Sequence, residues 1–138
     1  MSTTIGLINK ALYSRLSGGT ALTTLLAGTA SIYNTQAPDD ASLDYVVFSC
    51  VTGGPQNINP SRVEDVTYFI RCYSKIGPAA ADAIDAQLDI ALHGQPLTIS
   101  GWTNFWLARI SYIVNVDVLS NTSKIWMSGG MYRLRLDS

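Results

Sequence analysis

The sequence predicts an α+β fold, with an antiparallel β-sheet, two main helices packed on one face and a long projecting hairpin, all within a single domain over residues 1–138. Three observations carry this reading. Apolar residues recur at helical spacing near the amino terminus and again over 77–97, whereas the runs between and after them alternate with period two. The resulting order (helix, short helix, strands, helix, strands) is solved most simply by one sheet with helices layered against it. A chain of 138 residues buries roughly two-thirds of its unfolded surface, enough for one core.

The opening TTIGLINKALYSRLSGG sets Ile5, Ile8, Leu12 and Leu16 on one helical stripe, with Thr3 or Thr4 as cap and Gly18–Gly19 as stop. ALTTLLAG adds a second apolar turn through Leu22, Leu25 and Leu26, SIYN is a short strand, and NTQAPDDAS is a turn-rich connection. DYVVFSCV and RVEDVTYFIRCYSK then form an antiparallel hairpin in which Val66, Tyr68, Ile70 and Cys72 face one way and Thr67, Phe69, Arg71 and Tyr73 the other. At about 3.3 Å per residue, the second of these runs outreaches the core, so part of the hairpin is expected to project.

GPAAADAIDAQLDIALHGQPL reads as a complete helix. Pro78 takes the first-turn position where no amide donor is needed, Gly94 and Pro96 end it, and Ala80, Ile84, Leu88 and Ala91 or Leu92 form its buried stripe. Asp82, Asp85 and Asp89, at spacings of three and four, are expected to share an exposed acidic face. After PLTIS and a turn at Gly101 comes the strand NFWLARISYIVNVDVL, with Trp106, Ala108, Ile110, Tyr112, Val114, Val116 and Val118 on the face expected to be buried. SNTSK is a loop. Trp126 and Met127 are placed in irregular chain, and the final strand alternates Tyr132, Leu134 and Leu136 against Arg133 and Arg135.

Composition bounds the function. The chain is 47% hydrophobic and only 14% charged, with a net charge of −1, against a usual charged fraction of about 25%. A surface so short of charge favours assembly with other copies, and the lack of a basic field argues against sequence-specific DNA binding. No signal segment or membrane-length apolar run is seen, so synthesis in the cytosol and no membrane partner are expected. Cys50 and Cys72 lack disulfide or zinc spacing and read as free thiols. Glycine pairs in GGPQ and SGGM lack phosphate-loop spacing. The lone His93 has no nucleophile and carboxylate in a recognisable motif, so a small hydrolase is the distant alternative. The acidic triplet is spaced too widely along a helix to enclose a cation. No catalytic, cofactor or metal site is therefore expected. Phe69, Arg71, Tyr73, Leu107, Ile113, Arg133 and Arg135, left facing away from the helices, together with Trp126 and Met127 in their loop, are a candidate interface for subunits or partners. The alternative is a strand register that tucks these side chains inside. Asp82, Asp85 and Asp89 form a docking strip, a solvated wall or a lumen lining, and the sequence leaves that choice open.

In its segment order the chain resembles the tail-terminator or tail-completion (tail-to-head joining) proteins of long-tailed bacteriophages. The carriers are ALYSRLSGGTALTTLLAGTASIYNTQAP, the DYVVFSC strand, RVEDVTYFIRCYSK running into GPAAADAIDAQLDIALHGQPLTI, and the closing YRLRL alternation. Where family members often place proline before the tyrosine of the first core strand, this chain has Asp44 before Tyr45. The resemblance implies a virion structural protein, assembled in the host bacterial cytoplasm, without cofactor or turnover. It also implies a homo-hexameric ring that caps the tail tube protein and meets a head-completion or neck protein, with DNA only passing through. A head-completion or neck protein of the same connector is the alternative within this class, and a host-directed regulatory binder lies outside it.

Overall fold

The structure, a computed structural model, describes residues 4–26, 31–38, 44–57, 62–118 and 124–137. Its elements are α1 (Thr4–Ser17), α2 (Thr20–Thr23), β1 (Ile32–Asn34), β2 (Tyr45–Asn57), β3 (Arg62–Ser74), α3 (Pro78–Leu92), β4 (Thr98–Ile99), β5 (Trp102–Val118) and β6 (Lys124–Asp137). The strands form one six-stranded sheet in the order β1-β2-β3-β6-β5-β4, and it is curled. The chain is thus a mixed α/β protein with three helices.

Helix α1 begins at Thr4 and buries Ile8, Leu12 and Leu16, the stripe its spacing predicts. Thr3, the other cap candidate, lies outside the described residues. Helix α3 starts with Pro78 after Gly77, and Gly94 leaves it with a positive φ of 70°, a conformation glycine adopts without steric penalty. Its buried positions are Ala81, Ile84, Asp85, Leu88 and Leu92. The Arg15 guanidinium ties the end of α1 to the end of α3, donating to the carbonyls of Ala91 at 3.0 Å, Gln95 at 3.0 Å and Pro96 at 2.9 Å. Carbonyls at a helix carboxyl end have no partner within the helix, and a cation is the favoured donor there.

Strands β2 and β3 pair antiparallel from Tyr45↔Tyr73 to Asn57↔Arg62, with a bulge between Cys50 and Thr52. The turn of this hairpin, 58–61, lies outside the described residues. On its other side β3 pairs with β6 from Val63↔Asp137 to Ser74↔Trp126. Tyr68 and Cys72, both fully buried, join the same face of β3 to both long helices. The Tyr68 hydroxyl donates to Asn9 Oδ1 of α1 at 2.6 Å, and Cys72 Sγ donates to the Ala81 carbonyl of α3 at 3.2 Å. Burial pushes the Cys72 thiol up to about 12, so it is an inert core residue.

Two expectations are corrected. The sheet is not wholly antiparallel, because β1 pairs with β2 in parallel, Ile32↔Val46 to Asn34↔Phe48. Parallel neighbours need a return connection between them, and residues 39–43 of this one lie outside the described residues. Trp126 and Met127 lie within β6, opposite Ser74 and Tyr73, not in irregular chain. The glycines that suggested a loop there serve a strand packed against its neighbours. A methyl at Gly129 would run into the Ile70 carbonyl and Arg71 Cα, and one at Gly130 into the Ser111 carbonyl. These obstacles are backbone, which yields poorly. Gly129→Ala and Gly130→Ala are each expected to destabilise the fold by about 1–3 kcal/mol, read as a lower urea midpoint.

Candidate subunit interface

The long strand β5 governs what this molecule exposes. Its pairing with β6 is broken by bulges between Asn104 and Trp106 and between Arg109 and Ser111. Each bulge inserts a residue and changes which side chains face the helices. Leu107, opposite Leu134, therefore points into the core and is buried. Trp106 is 48% exposed and Ile110 54%. Past the second bulge Tyr112, Val114 and Val116 lie opposite Gly130, Ser128 and Trp126, on the helix side of the sheet. Tyr112 and Val114 are nonetheless each 75% exposed. The stripe expected to be the buried face of this strand is thus largely its exposed one, and Leu107, a candidate interface residue, is core. A period-two pattern cannot reveal a bulge, so nothing in the sequence marks this inversion.

The remaining candidates separate by face. Phe69, Arg71 and Tyr73 on β3, Ile113 on β5 and Met127, Arg133 and Arg135 on β6 share the face away from the helices. They are half-buried rather than open. Arg71 donates to Ser49 Oγ at 2.8 Å and to the Tyr73 hydroxyl at 3.2 Å, and its guanidinium stacks on Phe69 at 4.6 Å. Arg135 lies over Phe105 at 5.5 Å, and Arg133 is ion-paired with Asp65. Trp126 belongs to the other face, partly buried against the core.

The acidic face of α3 is also revised. Asp82 is exposed, but Asp85 is buried, because it lies within the stripe 81, 84, 85, 88, 92 that packs on the sheet. It accepts two hydrogen bonds from Arg109, the one from Nη1 at 3.0 Å, and a third from Ser128 Oγ at 3.1 Å. Arg109, its side chain 3% accessible, also donates to the Tyr132 hydroxyl through Nε at 2.9 Å. Tyr132 passes a hydrogen bond on to Asp89 Oδ1 at 3.4 Å, and Asp89 lies 3.5 Å from Arg109 Nε. Burial works against the Arg109 charge, but the hydrogen bond to Asp85 and the adjacent Tyr132 and Asp85 outweigh it and raise its pKa further. Two of the three aspartates thus hold α3 onto β5 and β6. The signal was available: Asp85 sits among apolar residues at spacings of four and three, inside the stripe.

His93 sits at the end of α3 against the edge of β5, where its Nδ1 accepts the Arg109 backbone N–H at 3.1 Å. Beside it the Gly94 N–H donates to the Leu107 carbonyl at 2.8 Å. The only histidine thereby completes a strand edge. Gly94, Pro96, Phe105, Trp106 and Ile110 line an apolar groove next to it, of about 510 Å³. Among the described residues no group of His, Cys, Asp and Glu side chains comes together that could hold a metal ion, and no helix is long and apolar enough to cross a membrane.

Comparison with known proteins fits this geometry. A chain of the solved particle described as "Virion of native gene transfer agent (GTA) particle" shares the fold, with a TM-score of 0.76, 18% identity and full coverage of both chains. No curated protein matches. The family described as "Tail completion protein gp17" matches residues 10–137. An α/β domain with an apolar exposed strand and this match is a structural protein of the bacteriophage virion tail, and not an enzyme. The chain belongs to the tail completion protein gp17 family.

Arg109→Ala is expected to cost about 3–5 kcal/mol in urea unfolding, since it strands a buried carboxylate, whereas Asp82→Asn stays within about 0.5 kcal/mol of wild type. The Arg133 hydrogen bond holds the Asp65 carboxyl below its usual range. Its stabilisation is therefore complete above the unfolded pKa and lost as the pH falls through the folded one. Asp65→Asn removes that increment, and its stability is expected to fall less than that of wild type between about pH 4 and pH 2.

Proposed function

We propose that this protein is a tail terminator: six copies close a ring on the end of the tail tube, and the ring's other surface receives the head-completion or neck protein. Membership of a tail-completion family supports a place in the tail. The observation that carries the ring is the exposure of Phe105, Trp106, Ile110, Tyr112, Val114 and Val116 along one strand, more large apolar side chains on one element than a solitary small domain usually leaves in water. A ring uses heterologous contacts, so each copy needs two different patches. The first is β5. The second is the half-buried face carrying Phe69, Arg71, Tyr73, Ile113, Met127, Arg133 and Arg135, with Asp82 as the part of the acidic helix still free to dock on a neighbour or line the lumen. In this reading the long β2–β3 hairpin reaches toward tube or neck. DNA passes through the ring without sequence-specific contacts, and assembly takes place in the host bacterial cytoplasm.

Native mass measurement of the purified protein, alone and with tail tubes, tests this. Six-copy rings that bind tube ends are expected. Trp106→Ser combined with Ile110→Ser is expected to shift the ring toward monomer with little change in thermal midpoint, because both side chains are exposed. A chain that stays monomeric in both conditions overturns the proposal, and binding to the neck or portal complex but not to tubes replaces it with the neck-protein reading.

A further inference from the structure

We propose that successive copies are joined by an antiparallel strand pair, with residues 110–117 of β5 in one copy lying against residues 49–57 of β2 in the next. This rests on the reading that copies associate head to tail, and it names the joint. The sheet has two unfinished edges. On the β5 side, β4 covers only Trp102 and Thr103, and Gly94 and His93 satisfy Leu107 and Arg109. Among the described residues nothing pairs with that edge from 110 onward. On the β2 side, β1 covers Val46 to Phe48, the Thr35 N–H closes on the Phe48 carbonyl at 2.7 Å, and the described residues leave the edge from 49 to 57 without a ladder partner. Open edges present unpaired backbone donors and acceptors and are templates for pairing with another chain; on the β2 run Pro55 alone has no N–H to offer.

The two edges fit each other in three respects. First, β2, β3, β6 and β5 alternate in direction, so β2 and β5 run antiparallel within one copy. A neighbour added sideways without being turned over therefore presents β2 antiparallel to β5, with the helices of both copies on the same side. Second, the open runs match: the nine residues 49–57, with one taken up by the bulge between Cys50 and Thr52, span the eight positions 110–117. Third, the covered segments interlock: with 57 opposite 110, Cys50 stands opposite Val116 and 49 opposite 117, so the β1 cover at Phe48 falls just past the paired run of β5, and the Gly94–His93 cover at Arg109 falls just past the end of β2. Each cover marks where the incoming strand must stop. Neighbours are consequently staggered along the strand direction. A twofold β5–β5 pair would leave the β2 edge open in both copies.

Native Cys50 provides the test. It is exposed and lies opposite Tyr68, hence on the helix side, as are Val114 and Val116. Directly opposed residues of an antiparallel pair have Cα atoms about 4.5–5.5 Å apart, within the roughly 4.4–6.8 Å that a disulfide spans. Val114→Cys and Val116→Cys are oxidised in the full-length protein with copper phenanthroline and run on non-reducing gels, while native mass gives the assembly state of the same samples. At least one is expected to give a ladder extending past the dimer. Adding Cys50→Ser is expected to abolish that ladder, and Asn115→Cys, on the opposite face, to give several-fold less. An intact oligomer with no Cys50-dependent ladder in either variant overturns this joint while leaving the ring standing. Dimers that persist with Cys50→Ser also overturn it, in favour of a β5–β5 pair. A strictly monomeric sample overturns the ring and the joint together.

Discussion

The guanidinium of Arg109 is the group on which the arrangement depends. It enters the core from the last position of β5 before a bulge, crosses the strand β6 where Gly130 offers no side chain, and ends against Asp85 of α3 with Tyr132 and Asp89 around it. A charge placed so deep is stable only with its full complement of partners. Satisfying it fixes several things at once: the depth at which α3 lies on the sheet, the strand position that must turn inward, and the β6 position that must be glycine. Tyr112 closes over it with the ring 4.9 Å from the guanidinium carbon. The exposed stretch of β5 therefore begins where the buried network ends.

That boundary explains the division of surface. On the core side of Arg109, β5 lies close to α3 and contributes Leu107 and Asn104 to the interior. Beyond it the strand extends past the helical layer while keeping its β6 partner through Val118↔Lys124. Residues of the type that build cores then stand where little covers them. The aliphatic run on β5 is consistent with a strand that completes its burial in an assembly, and the ion pairs and stacked arginines of the opposite face keep that side half-closed by itself. One sheet thus carries two surfaces of different character, a requirement for a subunit whose neighbours on its two sides are not related by a twofold.

Much of the fold was legible in the sequence because its signals were local. The alternation from Val66 to Cys72 gave the correct faces of β3, and Pro78 and Gly94 bounded α3 correctly, since each constrains the backbone at its own position. The family was legible for the same reason, from the order of those segments. Most of the failures involved non-local information. Two bulges on β5 exchanged its faces between Trp106 and Ile110, and only the partner strand registers them. Asp85 looked like a surface carboxylate because aspartate usually is one, and its stripe position was outweighed by its charge. The parallel β1 is defined by its register on β2, not by its own three residues. Of the candidate residues, the arginine and aromatics of β3 and the arginines of β6 lie on the expected face, whereas Leu107 is core and Trp126 lies in a strand.

The adjacent glycines of β6 bear on how this domain can diverge. Two absent methyl groups let the middle of the sheet approach its neighbours on both faces, and that closeness accompanies its curl. A descendant that acquires side chains there cannot keep the same bend; it must splay the central strands, and with them the angle at which one rim addresses the other. Curvature in this architecture is therefore inherited through two buried residues at the middle of the central strand β6.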